Sequence, residues 1–77
     1  MPTVLRVEGF RFFFWSNEGT ERPHVHVEKA DAAGKWWIDD LSMSYRSGFS
    51  PMQLRRVREL LEAHQQEFLD AWIEHFG

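Results

Sequence analysis

The C-terminal third of the chain is its most constrained part. In "GFSPMQL" Ser50 stands where a helix N-cap belongs, Pro51 takes the first helical position and Gln53 completes a capping box. Phe49 and Leu54 occupy the staple positions on either side. From there an apolar stripe runs through Leu54, Val57, Leu61, Phe68 and Trp72, with Leu60 and Ala71 beside it. Arg56, Glu59, Glu67, Asp70 and Glu74 lie on the opposite, solvated face. The pattern predicts one amphipathic helix of about six to seven turns, ending at Gly77. Such a helix must bury its stripe against something, and the preceding residues can only supply a sheet.

Those residues read as short strands. "TVLRV" alternates, and Glu8-Gly9 makes a tight connection to "FRFFFW". In that run Phe10, Phe12 and Phe14 share one face, and Arg11, Phe13 and Trp15 share the other. Both faces are apolar, which predicts a central strand covered on both sides. A polar loop follows, Ser16 to Pro23, and then "HVHVEK" as a third strand. "ADAAGK" is read as a connection with Gly34 as its turn residue, "WWIDD" as a fourth strand, and "LSMSY" as a fifth strand or an extended link. The fold class is therefore α+β: a small, mainly antiparallel sheet of about three to five strands with one long C-terminal helix on one face. A chain of 77 residues allows a single domain, 1–77. Its core is small, but seven Phe, four Trp and one Tyr enlarge the area each buried side chain contributes.

Composition removes several classes of function. Without cysteine there are neither disulfides nor thiolate metal sites. The start, "MPTVLRVEG", lacks the pattern of a signal peptide, and no apolar run approaches the roughly 20 residues that span a bilayer. A cytoplasmic protein is expected. Nine basic and twelve acidic residues, net −3, argue against a general nucleic-acid binder while allowing a local basic patch. Nothing in the sequence calls for a cofactor.

The candidate site is "RPHVHVEK". Period two sends Val25 and Val27 toward the helix and His24, His26 and Glu28 to the other face, beside Arg11, Phe13 and Trp15 if the register permits. Three readings stay open. The pair is the polar half of an alternating strand on a half-wet surface. Alternatively, two imidazoles supply one base and one acid, with Arg11 or Arg22 stabilising an anionic phosphate; this constellation of His24, His26, Arg11 and Arg22 suits metal-free RNA cleavage. Or His24, His26 and Glu28 ligate a transition metal, since same-face neighbours lie about 6–7 Å apart, with Asp39 or Asp40 as the nearest fourth donor. His64 and His75 border the helix stripe and receive no role. Trp36 and Trp37 put one ring on each face, one for the core and one as an anchor for a partner.

The chain resembles a small bacterial family known as domain of unknown function 4160. The resemblance rests on "MPTVLRVEGFRFFFWSNE", "PHVHVEK" and "GFSPMQLRRVRELLEAHQQEFLDAW" and covers essentially the whole chain. Proline often precedes the Pro-His pair in that family; here the position is Arg22. Such genes often stand beside one for a second small protein, an arrangement similar to a toxin–antitoxin pair. The resemblance thus implies a partner protein from the adjacent gene and favours a toxin-like member acting on RNA. The rival expectation is a non-enzymatic, antitoxin-like binding module, as a monomer or a homo-oligomer.

Overall fold

Two left-handed residues, Glu8 (φ 54°) and Gly9 (φ 84°), set the first hairpin. They join β1 (Thr3–Val7) to β2 (Phe10–Phe13) in two residues, a connection whose twist suits antiparallel strands. The computed structural model describes residues 3–15 and 19–77. Met1 and Pro2, and Ser16 to Glu18 of the expected loop, lie outside the described residues. Beyond β2 come β3 (His24–Lys29), β4 (Ala32–Trp37), β5 (Met43–Ser47) and α1 (Pro51–Phe76). The five strands form one antiparallel sheet in the order β1-β2-β3-β4-β5, a simple meander. The sheet and single C-terminal helix are those the sequence pattern predicts.

The helix begins as its sequence dictates. The Ser50 hydroxyl accepts from the Gln53 N–H at 3.1 Å, and the Gln53 side chain accepts from the Ser50 N–H at 2.8 Å. Gly77 ends it in a left-handed conformation (φ 86°), donating to the Ile73 carbonyl. Val57, Leu60, Leu61, Phe68 and Trp72 are buried. They meet Phe10, Phe12, Phe14, Val25, Val27, Trp36, Ile38 and Leu41 of the sheet and its connections. Two long polar side chains fasten the same helix to the β4–β5 connection. Gln65 donates to the Ile38 carbonyl at 2.7 Å and Arg58 to the Leu41 carbonyl at 2.9 Å. Arg56, expected on an idle solvated face, instead grips Glu8 of the first hairpin with two hydrogen bonds.

The fourth strand departs from expectation. It starts at Ala32, and the turn before it is Ala30-Asp31, with Ala30 at φ 51°. Gly34 is no turn residue: it sits buried inside β4, opposite Val27. A Cβ there would come within 2.6 Å of the Trp36 ring and 3.0 Å of the Tyr45 carbonyl. Glycine is present because two neighbours press on the backbone. Ile38, Asp39 and Asp40, expected in the strand, form the turn that follows Trp37.

Candidate functional site

The registers bring the expected face together. Arg11 pairs with Glu28, Phe13 with His26, and His24 with Trp37 across adjacent strands. Side chains directly opposite share a face, so Arg11, Phe13, His24, His26, Glu28, Lys35 and Trp37 all project away from the valines. β2 proper ends at Phe13, yet the alternation continues: Phe14 enters the core and Trp15 stays with the histidines.

The histidines are not on a half-wet surface. His24 is 0% exposed and His26 6%. The His26 ring stacks on Phe13, centroids 5.5 Å apart, and meets the edge of Trp15 at 6.0 Å. His24 lies 5.2 Å from His26, 5.8 Å from Trp37 and 5.0 Å from Trp72. The last contact explains the burial: the far half of the helix carries Trp72 to the end of β3, where it touches the first histidine as well as Phe14. Large rings thus enclose the pair. The His24 Nδ1 is 2.9 Å from the Arg22 carbonyl oxygen. A carbonyl can only accept, so Nδ1 carries the proton and donates, which fixes the ring's tautomer and orientation.

Both arginines are engaged with carboxylates. Arg11 donates to Glu28 Oε1 and to Thr3 Oγ1, each at 2.9 Å, with its guanidinium 4.4 Å from the Phe13 centroid. Arg22 forks onto Asp39, at 2.9 Å and 2.6 Å, and reaches Asp40 at 3.2 Å. The Arg22 hydrogen bond holds the Asp39 carboxyl below its usual range. Asp40 is lowered chiefly by hydrogen bonds from Ser42. Glu28, Asp39 and Asp40 are thereby committed to other partners. Among the described residues no three of His, Asp and Glu gather into a metal-binding group, so the His24, His26, Glu28 set does not form a ligand cluster.

Lys35 belongs to this face and was missed because "ADAAGK" reads as a connection. Its ammonium sits 4.8 Å from the Trp37 centroid and bonds Glu21 at 3.2 Å, while Arg22 sits 4.8 Å from the same ring. Trp37 therefore lies between two cations. The alternation of Ala33, Lys35 and Trp37 against Ala32, Gly34 and Trp36 was the available signal. Of the other histidines, His64 bonds Glu67 at 2.8 Å and His75 lies against Phe76, 4.5 Å between centroids.

Beyond this cluster, β5 is the most open part of the sheet. All five of its residues are exposed, Met43 at 44% and Tyr45 at 49%, and among the described residues no strand lies beyond it. The described helix is not long and apolar enough to cross a membrane. Compared with protein families, residues 9–73 match the one described as Domain of unknown function (DUF4160). The chain belongs to this family. No curated protein and no solved structure matches it. For this DUF4160 chain the matched span runs from the first hairpin through Trp72, so it includes the whole ring-histidine cluster.

Proposed function

We propose that the chain is one member of a toxin–antitoxin-like two-gene module and acts by holding a small partner protein at the outer edge of β5. The observation that carries this reading is the edge itself: five exposed residues in a strand with neither proline nor lysine to blunt it. Tyr45 pairs with Lys35 and so stands on the helix-free face, whereas Arg46 pairs with Gly34 and stands on the other. The occupant that fits is an extended partner segment adding a sixth strand, with an apolar side chain against Tyr45 and an acidic one against Arg46. The enclosed histidines then serve as a rigid support behind the interface.

The test is co-purification with the product of the adjacent gene, followed by titration of the two purified proteins. A Met43→Glu/Tyr45→Glu variant with an unchanged circular dichroism spectrum should lose binding by about a hundredfold or more. Unchanged affinity in that variant, or no complex with the wild type, defeats the reading.

The 5.2 Å separation of the two imidazoles favours a second reading, the toxin-like one, in which His24 and His26 cleave RNA as base and acid. It requires RNA cleavage by the chain alone, with a bell-shaped pH profile, that is lost in His26→Ala. Intact RNA after incubation with the wild-type chain removes it.

A further inference from the structure

The outer face of the helix is arranged against its own dipole. Arg55, Arg56 and Arg58 lie in its first half, against two acids there, Glu59 and Glu62. Glu67, Asp70 and Glu74 lie in its second half with no lysine or arginine among them, and the first turn contains no acid. The dipole prefers the reverse order, acids first and bases last, so isolated helix stability does not account for this pattern. The same face carries the two most exposed large apolar side chains, Met52 (78%) and Ile73 (56%), one near each end.

These features are self-complementary. From one end the exposed line reads Met52, Arg55, Glu59, Ala63; from the other it reads Ile73, Asp70, Gln66, Glu62, at the same spacings. We infer that this face pairs with the same face of a second copy, the two helices antiparallel about a two-fold axis between Glu62 and Ala63. Met52 of each copy then meets Ile73 of the other, Arg55 meets Asp70, and the Gln66 amide can donate to Glu59. A closed two-fold contact makes every one of these pairings twice. Ala63 at the crossing lets the backbones approach. The antiparallel arrangement also opposes the two dipoles and sets each basic half beside an acidic one.

Two details bear on the energetics. Arg55 has no ion-pair partner among the described residues, whereas Asp70 already accepts from Gln66 at 2.8 Å and Glu59 from Arg56 at 3.2 Å. The unfavourable element is Glu62, which approaches its symmetry mate; Arg58, 3.5 Å from it in the same chain, offsets that charge. Beside Met52 an open groove of about 310 Å³, lined by Glu8, Phe10, Lys29, Gln53 and Arg56, separates this end of the helix from the first hairpin. The pairing uses a surface separate from β5 and does not depend on the partner proposed above.

Sedimentation equilibrium of the full chain over a range of concentrations reads the association directly. The wild type should be a reversible dimer whose dissociation constant rises with salt. Arg55→Asp and Asp70→Arg, both at exposed positions, should each weaken it by about tenfold or more, and the double reversal R55D/D70R should restore most of the loss. Ile73→Glu should leave a monomer with an unchanged fold by circular dichroism. A wild type that stays monomeric at the highest concentration overturns the inference. So does a dimer indifferent to the charge reversals, or one broken instead by the Met43→Glu/Tyr45→Glu change in β5.

Discussion

The sheet encloses rings on both faces, and it does so by different physics. On the helix side Phe12 stacks on Phe68 with centroids 5.2 Å apart, inside a buried cluster of aliphatic and aromatic side chains. On the other side His26 lies between Phe13 and Trp15, and Trp37 lies between two cations. The first face is held by burial of apolar area, which tolerates substitutions that conserve volume. The second is held by directed contacts, such as the His24 Nδ1–carbonyl bond and the carboxylates on Arg11 and Arg22. Stability on the second face should therefore depend on chemical identity more than on size.

Trp72 touches both faces, through Phe14 and through His24, so its removal should produce the largest effect. Trp72→Ala is expected to cost on the order of 3–5 kcal/mol, a large part of the stability of a domain this size, read as a much lower midpoint in a denaturant titration. His24→Ala breaks the comparison more selectively. It should cost about 2–3 kcal/mol, from a vacated buried ring and an abandoned carbonyl. A His24→Ala midpoint equal to that of wild type would return the face to an open, dispensable surface. Gly34→Ala tests the point where the faces come closest, between Trp36 and the β5 backbone. Overpacking there should cost about 1–3 kcal/mol, measured by the same titration.

The smallest expected effect is a pH dependence. Glu8, on the hairpin beside the helix, is held below the usual carboxylate range mainly by its hydrogen bond from Arg56. Asp39 is held low in the same way by Arg22. A depressed folded-state pKa stabilises the fold above the unfolded value and loses that stabilisation as pH falls through the folded one. Stability should thus decline slightly below about pH 4.3. Arg56→Ala and Arg22→Ala should each flatten part of that decline, seen as a smaller difference between thermal midpoints at acidic and neutral pH.

Much of this was legible in the residues. The helix start was written in local hydrogen-bonding chemistry, which needs no tertiary context, and the faces of β2 and β3 followed from a period of two. The burial of His24 was not legible, because it depends on how far along the sheet a helix of 26 residues reaches before Trp72 turns inward. The start of β4 was masked: "ADAAGK" has the composition of a turn, its alternation is carried by small residues, and it is a strand because it ladders between β3 and β5. The engagements of Arg11 and Arg22 were hidden for a related reason, since their acidic partners are each 17 residues away.

The meander has a kinetic consequence. Each strand's neighbour in space is its neighbour in sequence, and the β1–β2 and β3–β4 hairpins close through two residues. Loop closure of that kind costs little entropy and proceeds quickly. The distant contacts belong to the helix: Arg56 reaches back 48 residues to Glu8, and Trp72 reaches back to His24. The transition state for folding should accordingly be the docking of a formed helix onto a mostly formed sheet, with the far half of the helix, and the histidine beneath Trp72, the last to be closed in.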